Sequence, residues 1–555
     1  MTPTDRLLLR AVRAAGWWTP TLAVVTVAGT LAELALPAVL GRAVDAAVGT
    51  APQDSPDRWL AAVVGLIALL VVVGVVRDYG TGAATARSVA HLRHTLVRHL
   101  FALAPQTAAR RPVGDLAGRV VGQVADAGQA APTLVTAATV ALPPVGSLVA
   151  LTLIDPWLGV TFVTGLLLLG LLLRGFVADA SAAVAGYQQA QGELAGRLVE
   201  ALAGARTIAA AGTGEREVER VLTPLAALHR HGARTWTVLA GAATRGAVLN
   251  PLLQVAIVAV GGLSLTAGRL TPGELLAAIQ YAALGAGLGT VVAALNTAVR
   301  VRAGCRRAAD VLTDPVRPYG VRPLASGPGT LELRGVTVRD ADGRALLDRV
   351  DLRVPGGTLL VVVGASGAGK SLLAAVAGRL RDPDDGVVLL DGVPLPELTP
   401  AALHAAIGYG FERPVLVGDT VAAAVGAGAD PVPLARAAAI HDFVERLPDR
   451  YGTPLAEVAM SGGERQRLGL ARALRAERLL ILDDATSSLD TATEYQVTRA
   501  LTGPGDRRTR VVVSHRLGMA ARADLVAWVA DGRIRAVGPH GALWADPDYR
   551  EVFRS

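Results

Sequence analysis

Long uncharged windows recur six times in the first 300 residues. They are Leu22–Leu40, interrupted only by Glu33, then Trp59–Val76, Ala127–Ile154, Pro156–Leu173, Gly246–Gly268 and Leu275–Val299. Each is close to or beyond the length a helix needs to cross a bilayer's hydrocarbon core. Buried helices of a large water-soluble protein are the alternative. Six such windows followed by none comparable fit a six-span all-helical membrane domain better. Residues 77–126 and 174–245 keep apolar residues at helical spacing among mixed charges, as in Leu92, Leu96, Leu100 and Leu103. These two excursions are expected to be membrane helices continuing into water, with short turns at their tips.

The pattern changes at 313–329, where Asp314-Pro315, Pro318, Pro323 and Gly327-Pro328-Gly329 punctuate the chain. From Leu331 onward, short β-branched runs alternate with Ala/Leu/Arg-rich helical stretches, which reads as an α/β domain. The expected division is a transmembrane domain over 1–312, a linker over 313–328 and the α/β domain over 329–555.

Charge gives the membrane domain a direction. Segments 1–16, 77–126, 174–245 and 300–310 carry 3, 7, 8 and 4 arginines, whereas 41–58, Asp155 and 269–274 carry 2, none and 1. Basic loops stay on the cytoplasmic side. The expectation is a multi-pass protein of the plasma (inner) membrane with both termini and the α/β domain in the cytoplasm. The composition, 52% hydrophobic and 18% charged, lies below the about 25% charge of soluble domains and excludes disordered or collagen-like chains. The net charge of +7 follows from the basic loops, so no nucleic-acid partner is expected. Cys305 is the only cysteine, which excludes an intrachain disulfide and a thiolate metal cluster. The histidines have no metal-ligand spacing. No cleavable leader is expected, because the first apolar segment is long and lacks a clear small-residue cleavage site. Of 54 basic residues, all but Lys370 are arginine. An Arg- and Ala-rich coding preference would give that skew, but the position of the one lysine needs its own reason.

Leu359–Val363 reads as a buried strand and runs into Gly364-Ala365-Ser366-Gly367-Ala368-Gly369-Lys370-Ser371, followed by a helix-forming stretch. This is G-x-x-x-x-G-K-S between a strand and a helix, the context the motif requires. Gly364, Gly367 and Gly369 let backbone N–H groups wrap a phosphate together with Ser366, and the helix start adds partial positive charge. Lys370 reaches β/γ-phosphates and Ser371 holds Mg²⁺ in such loops. A second apolar strand, Leu479–Leu482, ends in Asp483-Asp484. A carboxylate at that strand end is placed to hold the metal, so Asp483 joins Ser371 as its candidate ligand, with Glu412 as a further one. The cofactors expected are ATP and Mg²⁺. A P-loop alone would also suit a kinase or GTPase. Met460-Ser461-Gly462-Gly463-Glu464-Arg465-Gln466-Arg467, upstream of that strand, argues against both.

With that run the chain resembles the half-transporters of the ATP-binding-cassette exporter family, and the resemblance covers nearly its whole length. It implies a type I exporter fold, six helices with long cytoplasmic extensions followed by a P-loop nucleotide-binding domain. It implies an ATP-hydrolysing transporter in a lipid bilayer acting on a small-molecule or lipophilic substrate. Ser461, Gly462 and Gly463 match the family signature that closes over ATP held by a partner domain. Ser488-Leu489-Asp490 match the D-loop, and His515 matches the switch histidine that contacts the γ-phosphate. Tyr451-Gly452-Thr453-Pro454, Glu457, Gly114-Asp115-Leu116 and Gly204–Ile208 resemble segments where cassette and membrane domain meet.

Three positions depart from the family pattern. The glutamate expected after Asp483, which orients the attacking water, is Asp484. The glutamine expected near Mg²⁺ aligns with Glu412. The aromatic expected against adenine aligns with Asp340. One reading is family variation without consequence. The other is a degenerate ATP site in which Asp484, His515 and Glu412 support slow hydrolysis, while the intact signature serves a competent site on a second half-transporter. That makes a heterodimer the preferred partner arrangement and leaves a homodimer open. Export of a small or amphipathic solute leads. Import by the same fold, as by siderophore-uptake subunits, and a regulatory ATP-binding subunit with little turnover are the alternatives. Glu33 would serve either a substrate or proton role or a contact between helices.

Overall fold

The apolar windows form helices in the structure, a computed structural model that describes residues 1–49, 55–340, 342–426, 428, 430–487, 489–503 and 506–554. The chain divides into two units, Met1–Leu100 with Val113–Asp314, and Phe101–Pro112 with Pro315–Ser555.

The first unit begins with α1 (Pro3–Ala14), α2 (Trp18–Val48) and α3 (Pro56–Ala102), whose last two residues and the following α4 (Pro105–Ala109) group with the second unit. It continues with α5 (Val113–Gly118), a π-helical turn at Arg119–Gln123, α6 (Val124–Gly128), α7 (Ala130–Thr139), α8 (Leu142–Ile154) and α9 (Pro156–Ala203). It ends with α10 (Ala205–Ala211), α11 (Gly214–Leu222), α12 (Leu225–Thr266), α13 (Pro272–Gly285) and α14 (Leu288–Leu312). Among the described residues, Trp18–Val48, Pro56–Ala102 and Val113–Ile154 are long and apolar enough to cross a membrane, and Pro156–Leu168 and Pro251–Thr266 are shorter apolar stretches. Two expectations need correction. The tips of the excursions are short helices, α4 and α5 in one and α10 and α11 in the other, not simple turns. The window Leu275–Val299 is not continuous, because Ala286-Gly287 separates α13 from α14.

Polar side chains fasten the helix ends near 45 and 271. Thr271 caps α13 in a reciprocal box with Glu274. Asp45 of α2 accepts from the Thr271 hydroxyl at 2.6 Å and from the Gly273 N–H at 2.8 Å. That approach requires two glycines, since a Cβ on Gly273 would lie 2.0 Å from the Gly41 carbonyl oxygen. Asp155 caps α9 through the Trp157 N–H and accepts from Ser264 at 2.7 Å.

In the second unit, β1 (Leu331–Arg339), β2 (Ala345–Val354), β4 (Asp385–Leu390) and β5 (Val393–Pro394) form an antiparallel sheet in the order β2-β1-β4-β5. The larger sheet runs β10-β9-β3-β8-β7-β6, from β3 (Leu359–Val363), β6 (Ile407–Phe411), β7 (Leu479–Asp483), β8 (Thr509–Val513), β9 (Leu525–Ala530) and β10 (Arg533–Gly538). Its strands are parallel except β10. The unbroken apolar runs follow from burial on both faces. Leu360 and Val362 of β3 enter one core, with Leu479 and Ile481 of β7. Leu359, Val361 and Val363 enter the other, with Leu480 and Leu482.

Gly273→Ala is expected to lower the unfolding midpoint of the full chain by the equivalent of about 1–3 kcal/mol through overpacking. Gly262→Ala, where an added Cβ meets nothing within 4 Å, is expected to cost nothing; thermal scans of both in one detergent compare them. Cys305, beyond the apolar window of α14, is fully buried beside Leu92 and Leu96, and burial pushes its thiol up to about 11. Maleimide should therefore label it only after denaturation, as mass spectrometry would read.

Candidate nucleotide-binding site

The loop leaving β3 has a backbone that side chains would obstruct. Gly364 has φ +155°, and a Cβ there would sit 2.2 Å from the Val529 carbonyl oxygen; Gly369, at φ +101°, sits immediately before the helix Lys370–Ala377, here α15. Ser366 and Gly367 form the exposed crown of the loop. Lys370 folds back, its ammonium donating to the Gly364 and Ala365 carbonyls at 2.8 Å each. Burial lowers the ammonium's pKa, and the nearby Asp484 and Asp483 charges oppose that shift.

Ser371, one residue on, donates to Asp483 at 2.9 Å. The pairing is set by register: Asp483 ends β7 opposite Phe411 of β6 and Val513 of β8. Burial raises the Asp483 pKa above the usual carboxylate range. The Ser371 hydrogen bond lowers it, while the Asp484 and Glu412 charges raise it further. A carboxylate whose anionic form is disfavoured in this way gains most from a divalent cation. Among the described residues, no three His, Cys, Asp or Glu side chains are placed to hold a metal ion by themselves. Mg²⁺ fits this donor set if phosphate and water oxygens supply its other ligands, as is usual for that ion.

Asp484 adopts φ +48°, a left-handed conformation that Asp tolerates better than most residues. Its carboxylate lies 3.5 Å from Nδ1 of His515, which follows β8 and is otherwise exposed. Glu412 follows β6 and directs its carboxylate toward exposed Arg413, at 3.8 Å. It therefore acts on Asp483 through its charge, and no hydrogen bond joins it to Ser371 or Asp483. Asp340, aligned with the adenine aromatic, accepts from the N–H groups of Asp342 and Arg344 and closes the β1–β2 turn.

Ser461 caps the helix Gly462–Ala473, donating to and accepting from Glu464 in a reciprocal box. Gly462 and Gly463 therefore form the first turn, with free N–H groups at its start. The structure groups Lys370, Ser371, Asp483, Asp484 and His515 by direct contact or charge. It places Ser461, Gly462 and Gly463 on a separate helix start. Leu489 and Asp490 are described and Asp490 caps the helix that follows; Ser488 lies outside the described residues.

Two residues were missed in the sequence. Tyr409 reaches Asp483 with its hydroxyl at 3.5 Å. Gln466, 2% exposed, donates to the carbonyls of Glu412 at 3.1 Å and Asp484 at 3.3 Å, and approaches the Ser487 hydroxyl at 3.4 Å. Its signal was a polar residue amid the apolar face Leu468, Leu470 and Ala471. The capping box was also legible, as Ser-x-x-Glu.

A glycine loop between strand and helix, a serine–aspartate pair beside it and a separate Ser-Gly-Gly helix start, in a chain that also carries membrane-length apolar helices, define an ATP-driven membrane transporter. Residues 21–286 match the family model for the ABC transporter transmembrane region, and residues 347–487 match that for the ABC transporter domain. The chain is 47% identical, over 95% of its length and 84% of the relative's, to the ABC transporter ATP-binding protein RamA of Streptomyces coelicolor. It is 34% identical, over 71% of its length and 70% of the relative's, to the mycobactin import ATP-binding/permease protein IrtB of Mycolicibacterium thermoresistibile. The fold matches that of a bacterial Atm1-family ABC exporter with ATP bound, at a TM-score of 0.80 over 97% of both chains and 24% identity. The chain belongs to the ATP-binding-cassette transporter family, with a membrane region and an ATP-hydrolysing domain fused in one half-transporter.

Lys370→Ala is expected to weaken ATP binding about 100-fold by removing charge-assisted hydrogen bonds. Ser371→Ala should chiefly lose the tightening that Mg²⁺ gives, and equilibrium nucleotide binding with and without Mg²⁺ separates the two.

Proposed function

We propose that this chain is one half of a two-chain exporter that moves a small or amphipathic solute across the plasma membrane and works best with a different partner half. Residues 1–312 form its membrane domain, 313–328 its linker and 329–555 its ATPase, with both termini on the cytoplasmic side. Lys370 and the N–H groups of Gly364–Gly369 hold the β/γ-phosphates, Ser371 and Asp483 hold Mg²⁺, and His515 meets the γ-phosphate. Bound Mg²⁺ would neutralise phosphate charge. Asp484 occupies the place of the residue that orients the attacking water. Ser461, Gly462 and Gly463 close over ATP held by the partner.

The observation that carries the asymmetric reading is the placement of Asp484. It is one methylene shorter than glutamate and its carboxylate engages His515, while Gln466 holds its backbone carbonyl. A displacement of about 1 Å at a water-orienting group can cost about 10²-fold in rate. Nothing comparable weakens Ser461, whose cap is complete on both sides. A chain with a slow site of its own and an intact contribution to another gains most from an unlike partner. Import is the second reading, supported by the 34% identity to a relative whose name specifies import.

The chain alone is expected to hydrolyse ATP slowly, and Asp484→Glu to raise kcat by about 10- to 100-fold. Full transporter rates in the unmodified chain, with no gain from the longer side chain, would sink the asymmetric assignment. Ser461→Ala should silence the assembled pair yet leave ATP binding at Lys370 intact, as filter binding and phosphate release would show.

A further inference from the structure

The ladder between β6 and β7 runs from the pair Ile407–Leu479 to the pair Phe411–Asp483. Glu412 and Asp484 come next on the two strands, and there a side chain takes over from the backbone. Gln466 lies on the signature helix, Gly462–Ala473, and is 2% exposed. Its amide nitrogen meets the Glu412 carbonyl at 3.1 Å, the Asp484 carbonyl at 3.3 Å and the Ser487 hydroxyl at 3.4 Å. Carbonyls accept and cannot donate, so the NH₂ side of the amide is the one that fits them. Glu412 and Asp484 are also the two residues whose charges raise the pKa of Asp483.

The backbone of Asp484 is held on both sides. Its N–H donates to the Val513 carbonyl of β8 at 3.3 Å, and its carbonyl accepts from the Ser487 N–H at 3.1 Å as well as from Gln466. Between these bonds lies a φ of +48°, which a residue with a side chain keeps only where its surroundings impose it. Releasing the carbonyl would let Asp484 relax toward negative φ. Its carboxylate would then leave its place 3.5 Å from His515.

The helix that carries Gln466 is seated closely on β6 and the residues after it. A Cβ on Gly408 would lie 2.0 Å from the Ala473 carbonyl oxygen, and one on Gly469 would lie 2.5 Å from the Pro414 Cβ. Ser461 caps the start of the same helix, five residues before Gln466. One short rigid element therefore joins the helix start to the backbone of Glu412 and Asp484. A displacement at either end is felt at the other, and such coupling is reciprocal.

We infer that Gln466 is a positioning residue that ties the backbone of Asp484 and Glu412 to the signature helix, so that engagement of Ser461 and occupancy of this chain's own ATP site bias one another. The tie within one chain stands on these contacts; its use between two ATP sites rests on the two-chain transport reading.

The test measures turnover on the full chain in proteoliposomes and amide hydrogen exchange on the full chain at one copy per lipid nanodisc. Gln466→Met keeps a linear side chain and removes the donors. It should lower kcat about tenfold and leave KM for Mg-ATP within about twofold, because the displaced group orients water and does not hold phosphate. Gln466→Asn, with its donors one methylene short, should fall between that variant and the unmodified chain. Leu468→Ala, buried on the same helix, should lower the unfolding midpoint and leave kcat per bound ATP unchanged. The gain from Asp484→Glu, about 10- to 100-fold in the unmodified chain, should shrink to less than about threefold beside Gln466→Met. At one copy per nanodisc, Mg-ATP should slow exchange across Ser461–Leu468 in the unmodified chain and not in Gln466→Met, which should still bind ATP. Four outcomes would overturn the inference: an equal loss of kcat in Leu468→Ala, a loss carried by KM, an undiminished Asp484→Glu gain beside Gln466→Met, or exchange protection that survives that variant. Absence of any Asp484→Glu gain in the unmodified chain counts against the asymmetric transporter reading alone, since the split between kcat and KM and the exchange measurement do not use it.

Discussion

Strand β3 has no face turned to water. Leu360 and Val362 pack into one core and Leu359, Val361 and Val363 into the other, while β8 and β9 take up its backbone hydrogen bonds on both edges. Its open end is therefore where the strand stops, and the glycine loop begins there. The same registry that seals the strand brings Val362 beside Val513 and Val513 beside Asp483. The ends of three parallel strands thus deliver the glycine loop, Asp483 and the segment carrying His515 to one edge. This is the general place for a ligand in an open α/β sheet.

Charge at that edge is uneven. The charges of Asp484 and Glu412 both act on Asp483, and Lys370 is the ammonium that answers the two aspartates. Such a group of residues would be most stable when it gains positive charge along with phosphate, as a magnesium–nucleotide complex would supply. It also accounts for the only lysine in a chain otherwise furnished with arginine. The ammonium is a compact point charge that folds back onto two loop carbonyls, a position that a planar guanidinium with a fixed fork does not match.

The helical unit obeys the opposite economy, since backbone and hydroxyl groups in apolar surroundings must find partners within the protein. Many of its threonines donate to their own helix, as Thr30, Thr139 and Thr152 do, and the carboxylates of Asp45 and Asp155 serve helix caps and neighbouring hydroxyls. The close glycine contact at Gly41 and Gly273 serves the same end, because only backbones at that distance let Asp45 reach the Gly273 N–H.

The windows of uncharged residues, the strand–glycine–lysine–serine motif and the Ser-Gly-Gly run were legible because each depends on neighbours in sequence. A helix long enough for a bilayer, a loop that must cradle phosphate and a helix start are local matters of spacing and side-chain size. Other features required the folded chain. Asp484 reads as a shortened glutamate in the sequence, but its engagement with His515 arises only when β7 and β8 lie side by side. Gln466 was part of a recognised run, yet its hold on Glu412 and Asp484 joins segments 54 and 18 residues away. The break at Ala286-Gly287 and the short helices at the excursion tips escaped a reading based on hydropathy, which registers how apolar a segment is and not where its backbone turns. The sequence by itself determined what kind of machine this chain belongs to. Which polar groups are satisfied and which are left to meet a ligand was decided by tertiary structure, because hydrogen-bond partners are set by distance in space.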